Sequence, residues 1–320
     1  MKTIGVLTSG GDSPGMNAAI RAVTRSALYA GYEVCGIYRG YEGLLDVDYR
    51  MLDDSAVSDI MQRGGTMLRT ARSERFMTKA GLQLALEHIK HAGLDAIVVI
   101  GGDGSMRGAL TLQQSGIPVI CLPGTIDNDL AYTDFTIGFD TAVNTVLDSL
   151  GNIRDTSSSH DRTTIIEVMG RHCGDIALMA GIAGGAESIL IPEDSAEINS
   201  ICSKLIKRHE EGKVHSIIIR AEGFHISTED LAEMIQQKTG IQSRTVVLSY
   251  VQRGGSPTAF DRLLASRMGY YAVELLQDQN YGRAVGISKG SIIDLDLKKA
   301  LDEKKQYDSN DMKLAEILSR

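Results

Sequence analysis

Cysteine is scarce in this chain of 320 residues: Cys35, Cys121, Cys173 and Cys202 form no Cys-x-x-Cys pair and no disulfide-framework spacing. That excludes a fold stapled by disulfides and predicts the reduced thiols of a cytoplasmic protein. Proline is equally sparse, at 5 residues, and no proline- or serine-rich stretch marks a linker, so only the region near 138–150 stands out as a candidate lobe boundary. No apolar run approaches the ~18 residues of a membrane span. The opening MKTIGVLTSGGD carries one lysine and a short apolar run that meets glycine before a secretory segment could form. Positive charge is also short: 33 Lys and Arg against 41 Asp and Glu leave a net charge of −8. Such a surface repels a polyphosphate backbone, which argues against nucleic acid as a partner.

Hydrophobic residues make up 43% of the chain and charged residues 23%, the balance of a folded globular protein rather than a disordered one. The length suggests about two domains at ~150 residues each. Glycine is the abundant residue, at 34 positions, and its value lies in permitting positive φ and close backbone approach to a ligand.

The glycines cluster after apolar strands. Ile4–Thr8 reads as a buried strand, followed by SGGDSPGMN and a helix over Ala18–Ala30. Ala96–Ile100 repeats the plan, with GGDGSMRG as the loop and a helix starting over Ala109–Gln114. Thr164–Val168 leads into MGRHCGD and an alanine-rich helix, and Thr245–Tyr250 into VQRGGSPTAFDR and another. Two more strands are predicted over Pro118–Leu122 and Ser216–Arg220. Strands alternating with helices predict an α/β fold with mainly parallel sheets, whose strand-end loops share an edge where ligands bind. The tail after Leu297 reads as a solvated end with one amphipathic turn at Met312–Leu318. His88 and His91 read as exposed, and Met61, Met67, Met179 and Met268 as core or gap-filling residues.

A glycine loop entering a helix N-terminus offers free backbone N–H groups and the positive end of the helix dipole, which suits phosphate. Two such loops suggest a polyphosphate. Neither carries the Walker lysine, and in neither do the glycines space as G-x-G-x-x-G, so P-loop and dinucleotide-binding readings fall away. Each loop holds an acid, Asp12 or Asp103. A carboxylate beside phosphate is repulsive unless a cation intervenes, so Asp103 reads as a Mg²⁺ ligand. The same pattern also suits a tight turn with the aspartate capping the helix. Asp127, in PGTIDND after a strand, can accept a proton from a hydroxyl, although an Asx-turn uses the same residues. Arg72, Arg154, Arg162, Arg171, Arg244 and Arg253 recur in or beside these loops, and a guanidinium fork matches phosphate oxygens. Arg171 and Arg253 each follow a strand and touch a glycine turn. GISKG at 286–290 fits a nucleophile-elbow string but lies between two β-like stretches, not between strand and helix.

Five motifs in order, SGGDSPGMNA at 9–18, GGDGS at 101–105, PGTIDND at 123–129, MGRHCGD at 169–175 and QRGGSPTAFDR at 252–262, span nearly the whole chain. The sequence resembles the bacterial ATP-dependent 6-phosphofructokinases (the type A phosphofructokinase family). The resemblance implies two similar doubly wound lobes, 1–138 plus 251–301 for ATP and 139–250 plus 302–320 for fructose 6-phosphate, with the active site in the cleft between them. It implies that Gly11, Arg72, Ser73, Gly102, Asp103, Gly104 and Ser105 contact ATP, with Asp103 on Mg²⁺, and that Gly11 and Arg72 also belong to the catalytic set. Asp127 would take the proton of the sugar 1-hydroxyl while Thr125 and Arg171 stabilise the phosphoryl group in flight. Ile126, Met169, Gly170, Glu222, Tyr250, Val251, Gln252 and Arg253 would complete the sugar site. Arg162 and Arg244 would reach it from a neighbouring subunit, so a homotetramer with shared sites is implied. Effector control by ADP or phosphoenolpyruvate would involve Arg21, Arg25, Asp59, Arg154, Gly185, Glu187, Lys213 and His215.

Relatives that use pyrophosphate carry an acid after GGD and a lysine in place of the glycine in PGTIDND; Gly104 and Gly124 fit the ATP form. Two departures stand out. Tyr250 occupies a position that is usually histidine, which removes a positive charge near the sugar phosphate and predicts weaker binding. Glu211 and Val214 replace residues that are usually basic, and a carboxylate there opposes an anionic effector. Two other readings remain at this point: a non-catalytic sensor of sugar phosphates, and a kinase of another acceptor that uses a GGDG loop.

Overall fold

The computed structural model describes every residue except Asp161, Ala196, Val214, Asp308 and Arg320, so the expectation for Val214 lies outside the described residues. In chain order the elements are β1 (Thr3–Thr8), α1 (Met16–Tyr29), β2 (Glu33–Ile37), α2 (Tyr41–Asp46), β3 (Tyr49–Leu52), α3 (Lys79–His91), β4 (Ala96–Gly101), α4 (Asp103–Gln114) and β5 (Val119–Pro123). Then follow α5 (Phe139–Ser158), β6 (Thr163–Val168), α6 (Asp175–Gly184), β7 (Ser188–Leu190), α7 (Ile198–Glu210), β8 (Ser216–Ala221), α8 (Thr228–Thr239) and β9 (Ser243–Val247). A 3₁₀ turn over Ser249–Arg253 precedes α9 (Ala259–Gln277), β10 (Arg283–Ser288), β11 (Ser291–Asp296), α10 (Leu297–Asp302) and α11 (Ser309–Leu318). The chain divides into two units, one of Met1–Ile126, Leu130–Thr141 and Arg253–Lys305, the other of Asp127–Asp129, Ala142–Gln252 and Gln306–Arg320. These bounds differ from the expected ranges at every junction, and the assignment of Asp127–Asp129 to the second unit was not expected.

The first unit carries a seven-stranded sheet in the order β11-β10-β5-β4-β1-β2-β3. Its centre is parallel, while β3 and β11 pair antiparallel at the two edges. AIVVI has no polar alternation because both of its faces are covered: Ala96, Val98 and Ile100 join a core with α1 and α9, and Ile97 and Val99 join another with α3, α4 and α10. Small residues let α1 and α9 meet closely. A Cβ on Gly269 would stand 2.7 Å from the Ala22 Cβ and 3.1 Å from the Ala19 carbonyl oxygen. The second unit carries a four-stranded parallel sheet in the order β7-β8-β6-β9. Its core sets Ile165 and Ile218 against Ile201 and Leu205 of α7 and Leu231 and Ile235 of α8.

Several local expectations are corrected. GGDGSMRG is not a loop: α4 begins at Asp103, with Ser105 and Met106 N–H donating to the Gly102 carbonyl at 3.0 and 3.1 Å. Glycine in a first turn costs at most about 1 kcal/mol, and Asp103 at the N-terminus offsets part of it through the helix dipole. The strand expected over Thr245–Tyr250 ends at Val247, and the chain turns into the 3₁₀ segment. The tail is helical rather than simply solvated: Ser319 receives bonds from Lys204 and, at 3.2 Å, from Arg208 on α7. Met179 is 41% exposed, outside the core. His88 is half-buried, its Nδ1 3.0 Å from the Leu44 carbonyl, whereas His91 is exposed as expected.

Asp261, fully buried in the first turn of α9, caps the start of another helix. Its carboxylate accepts from Gly138 N–H at 2.9 Å, Thr141 N–H at 2.8 Å and the Thr141 hydroxyl at 2.6 Å, all at the N-terminal end of α5. Thr258 reciprocates: its N–H donates to the Thr141 hydroxyl at 3.0 Å and its hydroxyl to Asp140 at 2.6 Å. Burial outweighs these bonds and pushes the Asp261 carboxyl up to about 6. Replacing Asp261 by alanine strands three donors and should cost about 2–4 kcal/mol in chemical denaturation near neutral pH. A carboxyl whose folded pKa lies above its unfolded one binds more protons when folded. The deficit of the Asp261→Ala variant should therefore widen by about 2 kcal/mol as pH falls from 6.5 to 4.5; a constant deficit contradicts this account.

Candidate active site

In the first unit the connections from β1 run to β2 and β3 on one side, while β4 and β5 lie on the other. The β1 and β4 C-terminal ends therefore form the switch point at which parallel α/β sheets bind ligands. Ser9 N–H donates to the Ile100 carbonyl at 3.1 Å, holding the two strand ends together. Gly11 and the α4 N-terminus both emerge there.

The Arg253 side chain covers Gly11. A Cβ there would lie 1.8 Å from Nη1 of Arg253, so the guanidinium rests directly over the loop backbone. Arg253 Nε is buried with no hydrogen-bond partner among the described residues, which leaves a cation with unspent donor capacity at the switch point. Gly102 abuts Thr125, whose Cβ would be 3.5 Å from a Cβ on the glycine. Gly104 faces open space. Ser105 is buried, and its carbonyl accepts at 2.6 Å from the Tyr41 hydroxyl, a phenol that burial drives well above its ordinary pKa and so keeps as a donor. Asp103 pairs with Arg107 at 2.9 Å, with both side chains substantially exposed. A pair of that kind contributes only about 0.3–0.5 kcal/mol, so Asp103 is readily available to another cation. Arg72 is exposed, and Ser73 Oγ accepts from Phe76 N–H at 3.2 Å. Thr125 is fixed through its carbonyl, which accepts at 2.6 Å from Thr136, while Ile126 is a core residue, 1% exposed.

In the second unit, Asp127 is buried and lies 3.3 Å from Nε of Arg171. Both residues are held by backbone that few residue types adopt. Asn128 takes φ +50° and donates to Asp175 at 2.8 Å, tying the IDN turn to the first residue of α6. Gly170 takes φ +139°, where a Cβ would stand 2.3 Å from the Cys173 carbonyl oxygen, and Arg171 itself takes φ +52°. A non-glycine residue in the left-handed region is strained and needs external support. Glu222 supplies it: Oε1 accepts from Gly170 N–H at 3.2 Å and Arg171 N–H at 2.8 Å. Strands β6 and β8 pair Val168 with Ala221, which sets the Met169–Arg171 loop beside Glu222. Gln252 is fully buried and accepts from Met169 N–H at 3.2 Å, so it orders the loop rather than facing solvent. Asn128 and Asp175 were not singled out from the sequence; the acid opening α6 and an asparagine able to adopt positive φ are the local signals for them.

Arg162 and Arg244 lie elsewhere on the same sheet. Arg162 precedes β6 and Arg244 is the second residue of β9, beside Thr164 in the register. Arg171 follows the far end of β6, and six residues of parallel strand span about 20 Å. Within one chain the two arginine groups occupy opposite sheet edges. Arg162 Nε is buried without a hydrogen-bond partner among the described residues, and Arg244 is exposed. Tyr250 and Val251 are exposed at 77% and 57%.

The residues expected at an effector site divide between the units. Arg21, Arg25 and Asp59 belong to the first, where Arg25 lies 3.7 Å from Asp54. In the second, Arg154 donates at 2.6 and 3.1 Å to the Gly184 and Gly185 carbonyls that end α6. Glu187 is buried, accepting from Arg208 at 2.9 Å and Ile217 N–H at 2.6 Å. Lys213 lies 3.9 Å from Glu211, and His215 is half-buried. Among the described residues no group of three or more His, Cys, Asp or Glu side chains could hold a metal, and no helix is long and apolar enough to cross a membrane.

Residues 3–276 match the family described as Phosphofructokinase. The curated protein named ATP-dependent 6-phosphofructokinase from Alkaliphilus metalliredigens (strain QYMF) is 57% identical over 319 residues, covering 100% of both chains. One of the same name from Clostridioides difficile (strain 630) is 55% identical over 319 residues, again with 100% of each covered. Among solved structures, phosphofructokinase from Saccharomyces cerevisiae superimposes with a TM-score of 0.89 at 34% identity, over 94% of this chain and 45% of the yeast chain. This chain thus spans under half of that one. A pyrophosphate-dependent phosphofructokinase from Marinobacter aquaeolei shares the fold, with a TM-score of 0.87 at 22% identity over 100% of this chain and 91% of its own. The mainly parallel α/β sheets, the two units and the full-length identity to these bacterial proteins together establish that the chain belongs to the phosphofructokinase family.

Proposed function

We propose that the chain transfers the γ-phosphoryl group of ATP to the 1-hydroxyl of fructose 6-phosphate, giving fructose 1,6-bisphosphate and ADP. One observation carries the reading: Asp127, a buried carboxylate on the loop after β5, is paired with a strained and externally supported arginine. Asp127 accepts the proton of the attacking hydroxyl. Arg171 turns from Asp127 toward the charge gathering on the equatorial oxygens of the migrating group, with Thr125 donating alongside. Phosphoryl transfer asks little covalent chemistry of the protein, and most of the rate comes from positioning and charge neutralisation. The relatives' identity supports ATP and fructose 6-phosphate as substrates over a non-catalytic sensor or a kinase of another acceptor. A sensor has no need for Asp103 and Asp127 together, and another acceptor has no need for Arg162, Arg244 and Glu222.

The first unit is the nucleotide-binding part and the second the sugar-phosphate part. Gly11, Arg72, Ser73 and Gly102 through Ser105 receive ATP, with the first turn of α4 giving its N–H groups to the phosphates. A single accessible carboxylate fits a Mg²⁺ ion that arrives on the nucleotide rather than one caged by protein. Asp103 would hold that ion, which neutralises phosphate charge when bound. Met169, Gly170, Glu222 and Arg253 complete the sugar side. Because Arg162 and Arg244 occupy the opposite sheet edge from Arg171, they serve the site of a neighbouring copy, and the working enzyme is a homo-oligomer, a tetramer on the family pattern. Its compartment is the cytoplasm. Control by ADP or phosphoenolpyruvate is weak here: Glu211 offsets the Lys213 charge that an anionic effector would use, and Arg154 and Glu187 already serve the fold.

Turnover of the purified protein with MgATP and millimolar fructose 6-phosphate, coupled to detection of fructose 1,6-bisphosphate, tests the assignment directly. Asp127→Ser should lower kcat by about 10²–10⁴-fold while leaving ATP affinity within about twofold; parallel loss of both assigns Asp127 a structural role. Gly104→Asp places a carboxylate in open space, so the variant should fold normally yet raise the KM for ATP by about tenfold or more. An unchanged KM contradicts the nucleotide assignment. Mixing Asp127→Ser protein with Arg244→Ala protein and reassembling them should yield activity above either parent, since some sites then draw an intact Asp127 and an intact Arg244 from different copies. Activity no higher than the parents means that the arginine works in its own chain.

A further inference from the structure

Strand β8 reads SIIIRA, and every residue of it is buried. Arg220 is the anomaly, a guanidinium 5% exposed directly after three buried isoleucines. Aliphatic residues of similar volume would spare the large cost of desolvating a charge, and buried ion pairs are often no more stable than such replacements. The cation must therefore provide something that an aliphatic side chain cannot. Its hydrogen bonds show what that is. Nη1 donates to Glu167 Oε2 at 2.8 Å, the neighbouring residue in the β6–β8 register. Nε donates to the Ile226 carbonyl at 2.7 Å, and Nη2 to the Phe224 and Glu222 carbonyls at 2.9 and 3.4 Å. Three carbonyls of one short turn converge on one side chain, while Glu167 balances the charge and also accepts from the Thr228 hydroxyl at the start of α8.

We propose that Arg220, neutralised by Glu167, is a positioning residue that braces the Glu222–Ile226 turn and through it the loop that aims Arg171. The linkage is continuous. The braced turn begins with Glu222, whose N–H donates to the Val168 carbonyl at 2.8 Å and whose carboxylate holds the Gly170 and Arg171 amides. Those amides belong to residues at φ +139° and +52°, a conformation the loop does not prefer by itself. Release of the turn lets Glu222 drift, the loop relax and Arg171 lose its approach to Asp127. The carbonyl-binding fork is specific to arginine: lysine offers a point charge and cannot reach three carbonyls and a carboxylate in one plane.

The effect on catalysis rests on the proposed assignment of Glu222 and Arg171 to the sugar-phosphate site, so two independent readouts are needed. The variants are Arg220→Met and the double variant Glu167→Gln with Arg220→Met. The single change leaves Glu167 without its counter-ion and should lower the melting temperature; the double change removes that stranded charge and should recover much of it. In both folded proteins, hydrogen exchange at the Gly170 and Arg171 amides should speed by about tenfold or more. The KM for fructose 6-phosphate should rise about tenfold, with the KM for ATP within about twofold. A double variant that is stable, with wild-type exchange at those amides and wild-type KM, overturns the proposal. Faster exchange with an unchanged sugar KM sustains the bracing and rejects the sugar assignment of the loop; faster exchange with a raised sugar KM supports both.

Discussion

The ion pair between Arg171 and Asp127, 3.3 Å apart with the carboxylate buried, sets the terms for the rest of the second unit. Arg171 meets Asp127 from a backbone in the left-handed region, φ +52°, directly after a glycine at φ +139°. Glycine accepts positive φ without steric cost, but arginine does not, and a strained non-glycine residue costs on the order of 1–3 kcal/mol unless its surroundings over-determine it. The surroundings do so with ordinary parts: Glu222 on the amides, Gln252 on Met169 N–H, the Cys173 N–H on the Gly170 carbonyl and Asn128 on Asp175. All but the Asn128 bond bear on the Met169–Arg171 loop itself. The Met169–Arg171 segment is thus a prestressed loop at the end of a strand, with its supports lying behind it.

Strand polarity supplies a second constraint. A parallel sheet has two chemically different edges, and loops that follow strands all open on one of them. Gly11 and Asp103 in the first unit, and Arg171 and Glu222 in the second, follow strands. Arg162 and Arg244 do not; they sit where strands β6 and β9 begin. That arginine pair lies at the other edge, about 20 Å of strand away, with Arg162 Nε unsatisfied among the described residues, and inside one chain it is remote from Arg171. The proposed oligomer accounts for this pair, with the exposed face of β9 and Tyr250 and Val251 beyond it open to a neighbouring copy.

Much of this was legible in the sequence because the signals are local. Apolar strands such as AIVVI, followed by glycine and then by alanine-rich periodicity, place β4, β1 and β6 to within a residue or two. Helix starts were harder. The α4 N-terminus lay hidden in GGDGSMRG because its four glycines read as loop, although the first turn of a helix tolerates Gly104 and Gly102 serves as the N-cap. The 3₁₀ turn at Ser249–Arg253 was hidden because TVVLSY keeps the composition of a strand past its last hydrogen-bonded residue. Long-range devices were invisible for a different reason: Asp261 and Thr141, 120 residues apart, or Arg220 and Glu167, 53 apart, meet only through topology. Motif spacing singles out candidate groups for chemistry and is silent on those that hold them.

The two glycines that distinguish ATP from pyrophosphate as donor illustrate how geometry sorts a sequence argument. Resemblance gave Gly104 and Gly124 equal weight. In this chain a Cβ on Gly124 would lie 3.0 Å from both Ile100 Cγ2 and Met16 Cε, inside the packed core between β4 and α1. The Gly101 nitrogen would be 3.3 Å away, so these neighbours would have to shift to admit a side chain. Gly104 has no neighbour within 4 Å. No protein atom stands in the way of a side chain at that position, in the first turn of α4 beside Asp103. A side chain at Gly104 therefore meets no part of the protein, whereas one at Gly124 displaces its neighbours, and the fold itself constrains only the second position.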